Sequence, residues 1–250
     1  MKASLEASFA ERENMTLDPT RVQAICFDVD GTLSDTDDQW AAMLTRRMAP
    51  LRRLFPGGDT RPFARRAVMC AETPGNLVYG LLDRVHLDDE VARLYSHICR
   101  HRVGRRPRVF KLVPGVAALL AVLHEHYPLA VVSARDEEST RAFLDQFELT
   151  GLFHSIATAQ TCPYTKPLPD PVLWAAERMG VPPANCLMVG DTAVDVRAGK
   201  LAGTQTVGVL CGFGREAELR RAGADLILPH TAALGPVLLP EEAGGTTRET

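Results

Sequence analysis

The 250-residue chain lacks the sequence patterns of membrane-spanning, disulfide-rich and zinc-binding proteins. No apolar run approaches the ~18 residues that a membrane span requires, and the N-terminus has no apolar segment of the signal-peptide kind. The six cysteines are scattered, without Cys-x-x-Cys or Cys/His ligand spacing, so we expect neither a zinc site nor a disulfide framework. We therefore predict a cytoplasmic protein without a membrane partner, in which Cys26 and Cys186 are small buried residues of apolar segments.

The chain as a whole also lacks an excess of charge of one sign. Its formal net charge of −3 argues against a nucleic-acid partner, because nucleic-acid-binding domains usually carry a marked basic excess. Positive charge is concentrated locally, since residues 46–110 contain fourteen arginines and six acidic residues. These arginines either cover solvated helix faces or line a cleft that attracts an anionic substrate.

Short apolar segments alternate with helical patterns through most of the chain. Such alternation predicts an α/β fold with a doubly wound parallel sheet, similar to a Rossmann fold. Apolar residues on both faces of each predicted strand indicate that helices cover both sides. The predicted strands are 22–28, 129–133, 155–159, 186–190, 204–210 and 224–228. The predicted helices are 115–126, 137–147, 171–179 and 195–202.

One long segment, residues 36–110, interrupts this alternation. Its patterns are helical and broken by proline and glycine, which predicts an inserted helical subdomain. The segments at both ends of the chain are polar and aperiodic, so we expect them to be mobile. The predicted boundaries are a leader at 1–20, a core at 21–35 and 111–232, and a tail at 233–250. Met15 offers an alternative start of translation.

Polar side chains follow the predicted strands at their carboxyl ends. These ends share one crevice in an open parallel sheet, so residues distant in sequence should meet there. Several carboxylates in one crevice need a cation, and hard oxygen ligands suit Mg²⁺. A phosphoryl group suits such a crevice, because Mg²⁺ and a lysine can neutralise its oxygens. The candidate residues are Asp28, Asp30, Ser133, Lys166, Asp191 and Asp195.

This arrangement predicts phosphoryl-transfer chemistry. Asp28 would attack phosphorus and form an aspartyl phosphate. Asp30 would protonate the leaving oxygen and later deprotonate the hydrolytic water, while Ser133 would donate a hydrogen bond to a phosphoryl oxygen. Taken singly, each residue has a simpler explanation. Asp28 would belong to an Asp-Gly turn, Ser133 and Asp191 would be helix caps, and Lys166 would be a solvated loop residue.

The motifs resemble those of the haloacid dehalogenase-like superfamily, and within it the phosphoglycolate phosphatase-like hydrolases with an α-helical cap. The resemblance is carried by DVDGTLSDT at 28–36, by Ser133, by KPLPDP at 166–171 and by GDTAVD at 190–195. It implies a Mg²⁺-dependent phosphatase that acts on a small phosphorylated metabolite, with residues 36–110 as the cap.

The resemblance also implies a role for each matching residue. Asp28 would be the nucleophile and a metal ligand, and Asp30 the acid/base and a ligand through its carbonyl oxygen. Asp191 would be the remaining metal ligand, with Asp195 supporting the metal or its water shell. Taken alone, Asp195 would be an acidic residue on a helix surface.

The sequence departs from the family pattern directly after Ser133. Ala134 and Arg135 stand where an Asn often follows the hydroxyl residue. Arg135 either replaces the missing contact or lies in solvent.

Other functions share this scaffold. A dehalogenase needs neither a second aspartate in the first motif nor Mg²⁺, so Asp30 and Asp191 argue against it. A β-phosphoglucomutase-like phosphomutase keeps both aspartates and remains an alternative. A non-catalytic binding or regulatory protein is a further alternative, although none of the motif residues is lost. The physiological ester and the oligomeric state are left open by the sequence.

Overall fold

The computed structural model describes residues 17–35, 45–48, 60 and 110–239 of the chain. The predicted cap at 36–110 and its arginines therefore lie almost entirely outside the described residues. Of that segment the structure describes a helical stretch at 45–48 and the single residues 60 and 110. In the described part of the chain, no helix has the length and apolar character needed to cross a membrane.

A sheet of six parallel strands forms the centre of the described structure, in the order β3-β2-β1-β4-β5-β6. This confirms the predicted doubly wound α/β fold. The strands are β1 (Ala24–Phe27), β2 (Leu129–Val132), β3 (Ser155–Ala157), β4 (Cys186–Gly190), β5 (Gln205–Val209) and β6 (Leu226–Leu228). The α-helices between residues 116 and 238 are α1 (Val116–His126), α2 (Glu137–Gln146), α3 (Asp170–Met179), α4 (Ala193–Ala202), α5 (Glu216–Ala222) and α6 (Gly235–Leu238). Within the described residues, each of the six predicted strands and of the four helices predicted between 115 and 202 is present, with ends shifted by at most two residues.

Side chains of the central strands point alternately into two apolar layers, as the period of two in a strand requires. Ile25 and Phe27 of β1 belong to a cluster of large aliphatic and aromatic residues that includes the buried face of α1. Ala24 and Cys26 belong to a second cluster, in which small residues of α3 and α4 pack against the sheet. Cys26 and Cys186 are both fully buried, as predicted. Burial raises the pKa of the Cys186 thiol to about 11.

The packed core extends beyond both predicted boundaries. Leu17 is buried in the main cluster, and the backbone of Asp18 exchanges two hydrogen bonds with the Gln205 side chain, at 2.6 and 2.9 Å. At the other end, Leu234 and Leu238 are buried in the same cluster. The predicted leader at 1–20 and tail at 233–250 are therefore too long. A single apolar residue and a four-residue helix give no periodic signal in a sequence.

A short antiparallel pairing joins the two sides of segment 36–110. The amide of Asp35 donates to the carbonyl of Lys111 at 2.9 Å, and the amide of Val113 donates to the carbonyl of Leu33 at 2.9 Å. Ser34 and Leu112 form the bridge between these two bonds. The chain therefore leaves and re-enters the described core at one point.

Strand β1 lies between β2 and β4, where the strand order reverses. Open parallel sheets bind their ligands at the carboxyl ends of the strands that flank such a reversal. The candidate residues of the first motif follow β1 directly.

Candidate active site

The central strand positions Asp28 beside the ends of both neighbouring strands. Its amide donates to the carbonyl of Val189 at 2.9 Å and so continues the β1–β4 pairing by one residue. The amide of Ser133 likewise donates to the carbonyl of Ala157, beyond the end of β2. Because these hydrogen bonds fix the backbone, each side chain emerges at the same edge of the sheet.

The Asp-Gly sequence after β1 forms a tight turn. The carbonyl of Val29 accepts hydrogen bonds from the amides of residues 32–34, and Gly31 adopts a φ of 74°. A Cβ atom at Gly31 would lie 2.3 Å from Oδ2 of Asp191. The simpler explanation of this motif as a turn is therefore correct, but the turn also brings the first and fourth motifs into contact.

Lys166 is a buried bridge between two carboxylates, not a solvated loop residue. Its Nζ atom lies 2.6 Å from Oδ1 of Asp28 and 2.6 Å from Oδ1 of Asp195. The lysine side chain is 2% exposed. Burial opposes the charge of Lys166, but Asp195 and Asp28 outweigh it and raise the pKa of the ammonium group. Lys166 therefore stays charged and uses one oxygen of each carboxylate.

Asp191 is fully buried after β4 and is held by a glycine-rich loop. Its Oδ2 atom accepts a 2.7 Å hydrogen bond from the amide of Phe213. A Cβ atom at Gly212 would lie 2.1 Å from this oxygen, and one at Gly214 would lie 1.7 Å from the carbonyl of Asp191. Thr192, not Asp191, is the N-cap residue of α4. The alternative of Asp191 as a simple helix cap is therefore wrong.

Asp195 is a buried member of the site, although its sequence position alone suggested a surface residue. Its Oδ2 atom accepts hydrogen bonds from the Thr192 amide at 3.0 Å and hydroxyl at 2.6 Å, while Oδ1 accepts from Lys166. The contact with Thr192 is a capping box at the start of α4. Both carboxylate oxygens of Asp195 are therefore engaged in hydrogen bonds, and its supporting role toward a metal stays a prediction.

The carboxylate cluster suits a divalent cation. Asp28, Asp191 and Asp195 each offer a carboxylate oxygen, and these three atoms lie within 4.8 Å of one another. Burial raises the pKa of Asp28 to about 7, with Lys166 opposing this rise and Asp195 and Asp30 adding to it. Lys166 contacts two of these three carboxylates, and hard oxygen donors of this kind favour Mg²⁺. The expected ligation by the carbonyl of Asp30 stays a prediction.

Asp30 directs its carboxylate to a residue whose role the sequence left open. Arg135 Nε donates to Oδ2 of Asp30 at 2.6 Å, and Nη2 contacts Oδ1. The arginine is 2% exposed, so it does not lie in solvent. Its backbone amide donates to Oγ of Ser133 at 3.1 Å, whereas the N-cap of α2 is Asp136. Ser133 is therefore not the helix cap that the simpler explanation assumed.

Two features of the site were not predicted from the sequence. One is the loop at 212–214, for which the two glycines directly after a predicted strand were the available signal. The other is the aromatic environment of Arg135, formed by Phe110 and Phe143. No local pattern connects these residues with the motif at 28–36.

The chain is similar to proteins of one hydrolase family. The family model described as haloacid dehalogenase-like hydrolase matches residues 25–209. A phosphoglycolate phosphatase of Aquifex aeolicus is 34% identical over 196 residues, which are 77% of this chain and 86% of that protein. A phosphoglycolate phosphatase of Neisseria meningitidis is 32% identical over 77% of this chain and 82% of its own length. The crystal structure of a hydrolase from Pseudomonas syringae shares the fold with a TM-score of 0.57 and 24% identity, covering 85% of this chain and 95% of that chain.

Proposed function

The chain belongs to the haloacid dehalogenase-like hydrolase family, and on this premise we propose that it is a Mg²⁺-dependent phosphatase. It hydrolyses a small phosphate monoester through an aspartyl phosphate on Asp28. The observation that carries this proposal is the buried ammonium group of Lys166 between Asp28 and Asp195, beside Asp191. Buried carboxylates can bind a divalent ion, and this ion together with the fixed ammonium group can bind an anionic substrate.

The first step transfers the phosphoryl group to the protein. A carboxylate oxygen of Asp28 attacks phosphorus, and the bond from phosphorus to the ester oxygen breaks. Asp30, two residues further along the turn, gives a proton to that departing oxygen. The alcohol leaves and Asp28 carries the phosphoryl group.

The second step returns the protein to its starting state. Asp30, now deprotonated, accepts a proton from a water molecule as the water oxygen attacks phosphorus. The bond between phosphorus and the Asp28 oxygen breaks, which releases inorganic phosphate. Asp28 is again a carboxylate, and Asp30 is again protonated for the next ester.

Other residues hold the reacting groups in place. Lys166 neutralises and orients Asp28, and the hydroxyl of Ser133 donates to a phosphoryl oxygen. The residues that would hold Mg²⁺ are Asp28, Asp191 and the carbonyl of Asp30, with Asp195 in support. When bound, the ion would neutralise charge on the phosphoryl oxygens.

Phosphate release from a panel of esters tests the proposal. The panel contains p-nitrophenyl phosphate, phosphoglycolate, sugar phosphates and nucleoside monophosphates, assayed with Mg²⁺ and with EDTA. Phosphoglycolate is included because it is the substrate named for the relatives from Aquifex aeolicus and Neisseria meningitidis. We expect Mg²⁺-dependent release of inorganic phosphate from at least one ester. Absence of release from every ester, by folded protein with Mg²⁺, would favour the non-catalytic binding protein instead.

Asp28→Asn tests the nucleophile. The substitution keeps the shape of the side chain and removes its nucleophilic oxygen, so turnover should fall by more than ~10³-fold while the fold is retained. Asp145→Asn, an exposed position on α2, is the matched control and should keep wild-type turnover. Wild-type activity in Asp28→Asn would remove Asp28 from the mechanism.

A further inference from the structure

Arg135 makes a two-point contact with the proposed acid/base residue. Its Nε and Nη2 atoms face the two carboxylate oxygens of Asp30, with the Nε contact at 2.6 Å. The planar guanidinium group can hold both oxygens of a carboxylate at once, which fixes the plane of the carboxylate as well as its distance. A lysine ammonium group acts as a point charge and cannot do this.

Two aromatic rings hold the guanidinium group of Arg135. Its central carbon lies 5.2 Å from the ring centroid of Phe110 and 5.6 Å from that of Phe143. The two rings pack edge to face, with centroids 5.7 Å apart. Gln146 of α2 fixes the backbone of Phe110, because its amide side chain both donates to and accepts from that residue at 2.9 Å.

Hydrogen bonds hold the backbone of Arg135 equally firmly. Its amide donates to Oγ of Ser133 at 3.1 Å, and its carbonyl accepts from the amide of Ala159 at 2.8 Å. Both ends of the arginine are therefore restrained. By contrast, the Asp30 side chain is 29% exposed and follows a turn, so packing alone does not set its orientation.

We propose that Arg135 is a positioning residue that holds the carboxylate of Asp30 in the orientation needed to exchange a proton with the substrate. The inference rests on the phosphatase function proposed above. A merely structural role explains the contact less well, because burying an ion pair is a poor way to gain stability and apolar residues of similar volume often do as well.

The dependence of the rate on the leaving group tests this role. p-Nitrophenolate departs without a proton, whereas the alkoxide of an alkyl ester needs one from Asp30. In Arg135→Met we expect kcat/KM for the best alkyl ester of the panel to fall by about 10²-fold. For p-nitrophenyl phosphate the fall should be under about 5-fold, because proton donation contributes little there. Arg135→Lys should fall between wild type and Arg135→Met for the alkyl ester.

Two comparisons separate positioning from general damage. In the Asp30→Asn background, Arg135→Met should cause no further loss on the alkyl ester, since both changes remove the same proton transfer. Arg141→Met is the matched control, because Arg141 is an exposed arginine of α2 that pairs with Glu137. It should leave both kcat/KM values at the wild-type level.

Some results would contradict the positioning role of Arg135, and a different result would contradict the proposed function. Equal losses on both esters, additive losses with Asp30→Asn, or failure of every Arg135 variant to fold would overturn the positioning role in favour of a structural one. Absence of turnover of every ester of the panel, p-nitrophenyl phosphate included, by the wild-type protein would instead refute the proposed function on which the inference rests.

Discussion

Lys166→Met removes the ammonium group that contacts Asp28 and Asp195 in the buried carboxylate cluster. Methionine keeps most of the apolar stem of lysine, so the loss comes mainly from charge and not from packing. In metal-free protein, Asp28 and Asp195 would then face each other without the ammonium group that now lies 2.6 Å from each. We expect the free energy of unfolding to fall.

The size of the loss follows from the burial of all three groups. Lys166 is 2% exposed, and the side chains of Asp28 and Asp195 are 9% and 3% exposed. Removing one partner of a buried ion pair typically costs ~3–5 kcal/mol, because the remaining charge stays uncompensated. For a domain of this size, such a loss corresponds to a fall in Tm of about 6–20 °C.

The loss should grow with pH in the absence of metal. Burial already raises the pKa of Asp28 from 3.8 to about 7, and Lys166 opposes this rise, so its removal raises the pKa further. A carboxyl group with a raised folded-state pKa contributes stability that is complete below its unfolded value and is lost as the pH rises through the folded value. Lys166→Met should therefore be less destabilising near pH 5 than near pH 9, where the carboxylates are ionised.

Urea unfolding in EDTA, repeated with Mg²⁺, measures these effects. Mg²⁺ should restore more stability to Lys166→Met than to wild type, because the cluster of the variant is more negative. Adding Asp28→Asn to the variant should also recover part of the loss. Lys200→Met is the control, since it breaks a half-exposed pair with Asp225 and should cost under ~1 kcal/mol. A loss under ~1 kcal/mol for Lys166→Met in EDTA, or one independent of pH, would refute the reasoning.

Two further substitutions test other parts of the structure. Gly212→Ala would place a Cβ atom 2.1 Å from Oδ2 of Asp191. Because this contact would displace the carboxylate of a proposed metal ligand, the Mg²⁺ concentration required for half-maximal turnover should rise ~10–100-fold. Gly151→Ala, whose Cβ would meet no atom within 4 Å, is its control, and an unchanged Mg²⁺ requirement in Gly212→Ala would contradict the role of the loop. Asp225→Asn weakens hydrogen bonds from the Thr206 amide and hydroxyl, at 2.8 and 2.9 Å, and should cost ~1–2 kcal/mol in urea unfolding at pH 7. Burial opposes the charge of Asp225, but hydrogen bonds from Lys200 and Thr206 lower its pKa below 3.8. The difference in the free energy of unfolding between Asp225→Asn and wild type should therefore be present above pH 3.8 and disappear as the pH falls through the lowered pKa of Asp225. A difference that persisted at lower pH would point to a cause other than the charge.

The sheet was predictable from sequence because its central strands are apolar on both faces. Alternate residues of β1 belong to two different hydrophobic clusters, so every residue of the strand is apolar. The polar residue Asp28 marks the end of the strand. The meeting of the four motifs was predictable for a related reason. Parallel strands place their carboxyl ends at one edge, and the order of polar residues along the chain already followed those ends.

The partner of Asp30 could not be predicted, because it depends on contacts that are distant in sequence. Arg135 is 105 positions away from Asp30, and its burial requires Phe110, from another part of the chain, as well as Phe143 of the following helix. Any local pattern around an arginine is compatible with exposure to solvent. The same limit applied to Leu17, an isolated apolar residue whose burial follows only from the completed core.

The antiparallel pairing of residues 33–35 with 111–113 has a consequence for how proteins of this kind diversify. Because backbone hydrogen bonds close the gap at its base, the sheet does not depend on how many residues lie between Asp35 and Lys111. Doubling the length of a closed loop costs only about 0.6 kcal/mol in chain entropy. This junction is therefore an exchange point, at which one insert can replace another without altering the strand ends that hold Asp28 and Ser133.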